Sequence, residues 1–444
     1  MLRSRPACAG FMLAAALAGC GDHDSPASPL RSPSTTVGAG LPVEVSSTDQ
    51  LVAALTSPGP ARNIVLAPGT YVISSPLEIP DGTTLQGSGA MTFDDISRLP
   101  AGFDLATRTV IKAAGTLVGD VVVMGDRTTL KGLAIEDAAG RTGGSVVVVH
   151  SRRPGDHVEA AIDECEIINP NPTSNSPQSV GGRALVLLTR NRETITSELA
   201  PEIGAAVTVT MSHSIISSPR IAGIFLNNFS PLATTRLILT ENVIGGGAQV
   251  TGGTSRPDAV YGSSSSMESK GNLYRADPGS SPINGLQIYG GAGLPVPGVA
   301  VEATNGNTAN FRSLNDRVEG FINAIVARGA SRPLASPAEL SFNIATLDLH
   351  GTRLSSVRGD LNLAGAGSLV AGSWPDAGNG LHALLEGVRG SGMRSNAYAN
   401  VLGPAPGSFG EGNRLEVVGT LQAFTHTNEN IFPPPPTQFF TGSN

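Results

Sequence analysis

Four consecutive segments of this 444-residue chain share one plan. Each has a short apolar strand, a polar loop and a second strand of pattern Φ-x-Φ-x-x-n-x-Φ, where Φ is mostly apolar and n is mostly small or polar. The first strands are Val121 to Met124, Val146 to His150, Leu185 to Thr189 and Ile224 to Asn228. The second strands carry Leu130/Leu133/Ile135, Ala160/Ile162/Cys165/Ile167, Val209/Met211/Ser214/Ile216 and Leu237/Leu239/Asn242/Ile244. Successive n positions lie 32, 49 and 28 residues apart, the longest interval holding a loop from Arg190 to Ala205. A unit of this size cannot bury its own apolar face, so the repeat must stack into a solenoid. Each unit is then one coil, its strands hydrogen-bonded to the coils above and below about 4.8 Å away. Equivalent positions become vertical neighbours. Cys165, Ser214 and Asn242 fall in one inward column, and Cys165 there is a small core residue.

Composition agrees. Glycine accounts for 55 residues and charged residues for only 15%, which suits tight turns between short strands better than amphipathic helices. Farther on, Leu286 to Tyr289 with Val299/Val301, Ala324 to Arg328 with Leu340/Phe342, and Leu347/Leu349/Thr352/Leu354 repeat the plan. Ser313/Asp316/Val318 fits it poorly. The Gly- and Ser-rich stretch from Gly245 to Ser281 reads as an inserted loop or loosened coil. Leu361 to Leu363, Leu381 to Leu385 and Leu415 to Val418 read as final coils. Pro433 to Pro436 cannot enter a sheet, so residues 431–444 read as a Pro-rich tail.

The chain opens with Arg3 and Arg5, an apolar run from Phe11 to Ala18, and Leu17-Ala18-Gly19-Cys20 before the composition turns polar. The apolar run is too short to span a bilayer core of about 30 Å and reads as a signal peptide. Its ending resembles the bacterial lipobox, which implies that residues 1–19 are removed, that Cys20 carries the lipid, and that Gly21 favours the outer membrane. Cys8 leaves with the signal and Cys20 is acylated, so Cys165 has no disulfide partner in the mature chain. Residues 20–41 read as a flexible tether. The domain, 42–430, begins with a short capped helix, where Thr48-Asp49 precedes Leu51, Val52, Ala54 and Leu55. Then come Ile64-Val65-Leu66, Pro68-Gly69-Thr70-Tyr71, Leu77 and Ile79, Asp81-Gly82 and Thr84-Leu85-Gln86-Gly87. This order resembles the start of pectate-lyase-like proteins. The resemblance implies an all-β chain, a single right-handed parallel β-helix whose N-terminal helix plugs the open end of the solenoid.

Two outward columns carry the candidate chemistry. One follows the first strands and holds Arg127, then His150, Arg152, Arg153 and His157, then Arg190 and Arg192. Stacked guanidinium groups would hold the carboxylates or sulfates of a polysaccharide. They are equally the ordinary solvated cations of a chain with only three lysines, Lys112, Lys131 and Lys270. The other column is the pair before the n position: Lys131-Gly132, Asp163-Glu164, Ser212-His213 and Thr240-Glu241. Here Glu164, His213 and Glu241 would stack as acid, imidazole, acid and serve acid–base work. Asp163, Glu164 and Glu241 would suit calcium. The plain alternative is a hydrated edge of balanced charge.

The resemblance stops short of a catalytic set. Arg153-Pro154 and Pro219-Arg220 stand outside any Arg-x-Pro-x-x-Arg frame, the one double aspartate, Asp94-Asp95, lies in a loop insertion, and no Gly-His-Gly occurs. Aromatics are 4%, with Trp374 the single tryptophan, which disfavours a groove for neutral sugars. The net charge of −7 disfavours nucleic acid. The sequence therefore points to a monomeric, lipid-anchored envelope protein that requires no cofactor and interacts with an acidic polysaccharide. The alternative is a lyase in which Arg152, Arg153, Arg190 and Arg192 neutralise a uronate and His150, His157 or His213 removes the C5 proton.

Overall fold

The computed structural model describes residues 41–418 and 425–426, with breaks at 58, 60–61, 142, 172–181, 190–202, 220–221, 256–258, 277–283, 294–303, 332–339, 358, 365–379, 392–395 and 401–413. The segments read from the sequence as signal peptide with Cys20 and as tether up to residue 40, together with Arg190, Arg192 and the Pro-rich tail, lie outside the described residues.

The architecture is a parallel β-helix. Three long sheets, here A, B and C, hold 12, 10 and 11 strands among the described residues. One turn of the chain shows how they arise. His157–Asp163 lies in sheet A, Glu166–Ile168 in sheet B and Leu185–Leu188 in sheet C, and Ala206–Ser212 then returns to sheet A. The return is in strict register, His157 opposite Ala206 and Asp163 opposite Ser212. The second strand read from the sequence is thus two strands joined by a sharp bend. Its first residue is left-handed in coil after coil: Gly132, Glu164, His213, Glu241, Gly271, Asn315, Gly351 and Gly387 all have φ between 49° and 67°. Where this residue is glycine the bend is legible. Where it is Glu or His it is not.

The next residue of the bend forms the inward ladder. The backbone N–H of Cys165 donates to Ser214 Oγ at 3.0 Å, that of Ser214 to Asn242 Oδ1 at 2.9 Å, that of Asn242 to Asn272 Oδ1 at 2.8 Å, and that of Asn272 to Asp316 Oδ1 at 2.7 Å. These bonds satisfy backbone donors that the bend takes out of the sheets. Two expectations need correcting. Gly245 to Ser281 is no loosened loop, because Ala248–Ser255, Ser264–Lys270 and Leu273–Arg275 pair in sheets C, A and B. Ser313 and Asp316 also keep the plan; they read as misfits because the ladder here replaces apolar residues with hydrogen-bonded polar ones. Ser313 Oγ donates to Asp316 Oδ2 at 2.7 Å inside the core.

Ile, Leu and Val from all three sheets form one continuous core. The helix α1, Thr48–Thr56, closes its N-terminal end. Ser47 caps it by accepting from the Gln50 N–H, and Leu51 and Leu55 are buried against the first coil. A short hairpin, Met91–Phe93 paired with Pro100–Phe103, lies on the outer face of sheet B and buries Met91 and Phe103 against Val110 and Ala134. No helix among the described residues is long and apolar enough to cross a membrane.

Candidate functional site

The second sequence column lies at the bend between sheets A and B, and its partners differ from those expected. Lys131 Nζ sits 2.8 Å from Asp163 Oδ2, and Ser212 Oγ donates to Asp163 Oδ1 at 2.8 Å. His213 Nδ1 lies 3.5 Å from Asp163 Oδ1 and its Nε2 lies 3.4 Å from Glu241 Oε2. The imidazole is therefore sandwiched by Asp163 and Glu241, with the Phe93 ring edge-on at 5.8 Å. Glu164, its left-handed backbone placing it beyond the strand, makes no ion pair among the described residues. Burial alone would raise the Asp163 carboxyl, but hydrogen bonds from Lys131, Ser212 and His213 and the nearby Lys131 charge hold it below its ordinary range. The Asp163 hydrogen bond likewise raises Lys131. Both ring nitrogens of His213 face carboxylates, which leaves neither directed at a substrate. With the imidazole between them, Asp163 and Glu241 do not converge on one point, and no group of three metal-ligating side chains converges among the described residues.

The arginine column lies at the opposite edge of sheet A, where chain arrives from sheet C. Arg127 is exposed and pairs with Asp126 at 3.0 Å; Arg152 pairs with Glu78 at 3.1 Å. Arg153 and His157 are exposed. In the described coils the ridge is thus mixed in charge, because carboxylates of neighbouring loops sit beside its cations. His157 and Asp163 begin and end one strand, about 20 Å apart at 3.3 Å per residue. The two columns border one face and cannot form one catalytic centre.

His150 belongs to neither. It points outward from sheet C, 8% exposed, with Nδ1 2.8 Å from the Ser151 carbonyl. Register places it over Leu188, at the edge of an apolar cluster of Val148, Val186, Leu188, Phe225 and Phe229. His150, His213, Glu164 and Glu241 are therefore not assembled; only His213 and Glu241 meet.

Farther up the same outward face the residues turn polar, and this is the site the sequence reading missed. Register stacks His150, Leu188, Asn227, Thr251, Tyr289 and Arg328 in one column, and Val148, Val186, Phe225, Gln249, Gln287 and Val326 in the next. Tyr289 Oη donates to Gln287 Oε1 at 3.0 Å, Gln249 Nε2 to Thr251 Oγ1 at 3.2 Å, and Thr254 Oγ1 to Asn227 Oδ1 at 3.0 Å. Asn227 is fully buried, yet its Nδ2 has no hydrogen-bond partner among the described residues; Arg328 Nε is also buried and has none among them. Arg328 is half-buried and has no carboxylate partner among the described residues. Burial raises the Tyr289 phenol above its ordinary value, opposed by the Arg328 charge. The face thus offers a guanidinium, a protonated phenol and amides over three coil spacings, about 14 Å. Such a set donates hydrogen bonds to an oxygen-rich anion. The signal in the sequence was the last residue of each first strand, but counting strand ends one residue long shifts Thr189 and Asn228 onto the column and flips the face.

No protein family matches this sequence, and no curated protein is significantly similar to it. Among solved structures, the chain is similar to a periplasmic alginate epimerase, covering 87% of this chain and 84% of that one at 10% identity and a TM-score of 0.27. A likeness at that level says nothing about the chemistry of this chain.

Proposed function

We propose that this is an exported, lipid-anchored β-helix protein of the bacterial envelope that binds an acidic polysaccharide on the outward face of sheet C, without a recognisable catalytic set. The observation that carries the reading is Arg328: a half-buried cation, with a buried unpartnered Nε, beside Tyr289 and Gln287. Removing a charge from water without a counter-ion is costly, so a guanidinium with no carboxylate partner among the described residues, on a concealed polar face, suits an anionic ligand that supplies one. The amides and hydroxyls of Asn227, Gln249, Thr251 and Gln287 suit the hydroxyls of the same chain. Export and anchoring rest on Leu17-Ala18-Gly19-Cys20.

The experiment is titration calorimetry of the full-length protein with oligomers of alginate, pectate and hyaluronan, with and without calcium, repeated with Arg328→Ala and Arg328→Lys. Binding by one acidic glycan that falls at least tenfold in Arg328→Ala supports the proposal. Equal binding by wild type and Arg328→Ala removes this site from it. Ultraviolet absorbance of an unsaturated product, followed in parallel, would instead favour the lyase alternative.

A further inference from the structure

At the corner where chain passes from sheet C to sheet A, the upper coils expose apolar side chains in one vertical stripe. Leu232, Gly262, Gly306 and Phe342 share a register position, two residues before Thr234, Ser264, Thr308 and Ile344, which pair in sheet A. Tyr261 precedes Gly262 by one residue, and the Leu232 N–H donates to its carbonyl. Ile203 belongs to the same stripe, one coil below Leu232, through Gly204 N–H donating to the Pro231 carbonyl. Exposure is 46% for Ile203, 54% for Leu232, 46% for Tyr261 and 59% for Phe342. In a chain with so few aromatics, two exposed rings on one edge are conspicuous. Val260, next to Tyr261, is wholly buried, so the two-residue strand Val260–Tyr261 presents the phenol ring outward.

The backbone adds an independent observation. Phe342 has φ of 53° and Leu232 of 54°, while their stacked equivalents Gly262 and Gly306 are glycine at 62° and 65°. A bulky side chain is disfavoured in this region, and glycine would hold the turn without strain. Phe342 is thus an exposed ring at a turn that glycine fills in the two middle coils of the stack.

The flanking residues say what kind of molecule fits. Beside the stripe lie the uncharged polar side chains Thr234, Ser264 and Thr308 in one row, followed by Ile344, and Asn310 in the next row, which Arg236 shares; Thr308 Oγ1 donates to Ser264 Oγ at 2.9 Å and Asn310 Nδ2 to the same oxygen at 3.4 Å. Exposed Asn305 lies within the stripe itself. An apolar strip edged by hydroxyls and amides matches a pyranose chain, whose sugars present C–H faces to an aromatic ring and hydroxyls to the side. The spacing matches as well, because coils stack about 4.8 Å apart, close to the rise per sugar of an extended chain. We infer that this corner is a glycan-stacking surface, along which a polysaccharide lies parallel to the helix axis with its sugars on Leu232, Tyr261 and Phe342. The inference takes its ligand class from the proposed function but uses a different surface, so the two can fail separately.

The test is Tyr261→Ala with Phe342→Gly in the full-length protein, titrated with a neutral β-1,4-linked hexaose and with an oligouronate of equal length. The double variant is expected to lose at least fivefold in affinity for whichever oligomer the wild type binds, with its melting temperature unchanged or raised. Tyr261→Trp and Phe342→Tyr, which keep the rings, are expected to retain binding. An affinity unchanged in the double variant overturns the inference, as does wild-type protein that binds neither oligomer. Loss of binding in Arg328→Ala alone, with the double variant unaffected, leaves the sheet C proposal standing and this one refuted; the reverse pattern does the opposite.

Discussion

Replacing Asp316 by asparagine is expected to stabilise the protein at neutral pH, against the usual direction of core substitutions. Asp316 is fully buried in the inward ladder, one coil above Asn272 and two above Asn242. Its Oδ1 accepts from the Asn272 N–H and side-chain amide, its Oδ2 accepts from Ser313, and it has no ion pair among the described residues. Burial pushes its carboxyl from 3.8 up to about 6. A shift of about two units corresponds to roughly 3 kcal/mol of preference for the protonated form. The folded chain therefore holds a proton that the unfolded chain releases. Stability is full below pH 4, declines as pH rises from about 4 to 6, and is flat above. An asparagine avoids the loss because it carries no charge, and the ladder already has room for its amide. Asn242 Nδ2 donates to the Met211 carbonyl and Asn272 Nδ2 to that of Leu239. The register then offers the Ser269 carbonyl to an amide at 316. Urea unfolding of both proteins at pH 4, 5, 6 and 7 is the assay. A gain of roughly 2 to 3 kcal/mol at pH 7 that vanishes near pH 4 is expected. A variant less stable than wild type at pH 7, or one with the wild-type pH profile, would refute the reasoning.

Burial drives the Cys165 thiol up to about 12, so native protein at pH 8 should take up no iodoacetamide at this residue and should be labelled fully in denaturant, read by intact mass. Arg141 pairs with Asp137 in a nearly inaccessible site and donates to the Leu117 and Gly119 carbonyls. Asp137→Ala should cost about 3 to 5 kcal/mol, seen as a large fall in melting temperature, because the guanidinium stays buried without its carboxylate. Phe342→Gly should raise stability by about 1 kcal/mol, since the strained turn accepts glycine freely; a fall of that size would mean that the ring packs in the fold.

The sequence carried the solenoid because its repeat is long and its ladder positions are specific: Cys165, Ser214 and Asn242 occupy the column assigned to them. It carried the capping helix through Thr48, Asp49 and the spacing of Leu51 and Leu55, although the N-cap itself is Ser47, one residue earlier. The third sheet stayed hidden because the bend into it is made by Glu164, His213 and Glu241, residues with no turn signature. The coil at Ala248–Lys270 stayed hidden because Gly252 and Gly253 look like loop. In fact a Cβ at Gly252 would strike the Gly290 and Thr308 carbonyl oxygens, and one at Gly253 the Asn307 side chain. Small residues there answer close packing between strands rather than flexibility. The candidate site was illegible for a related reason. Its members come from four coils at unequal spacing, and only strand register, which one residue of slip inverts, brings Asn227, Thr251, Tyr289 and Arg328 into line.

Stacking also explains why many charges of this sequence face one another up the coils. Two like charges one coil apart repel by about 1 kcal/mol in water and by several where solvent is partly excluded, so a β-helix gains by alternating signs up its columns or leaving them neutral. Several described charges do pair this way: Lys131 over Asp163, His213 between Asp163 and Glu241, Arg236 with Glu268, Arg312 with Asp348, and His350 between Asp348 and Glu386; Arg317, Arg353 and Arg389, stacked in sheet B, do not. In the two sequence columns His213 lies between Asp163 and Glu241 and Arg152 pairs with Glu78, so these charges are matched within the fold, whereas Glu164 has no ion pair among the described residues. Arg328 has a neutral phenol below and no carboxylate beside it among the described residues. Its Nε is buried, and under the proposed function an anionic ligand supplies the charge that Arg328 lacks among the described residues.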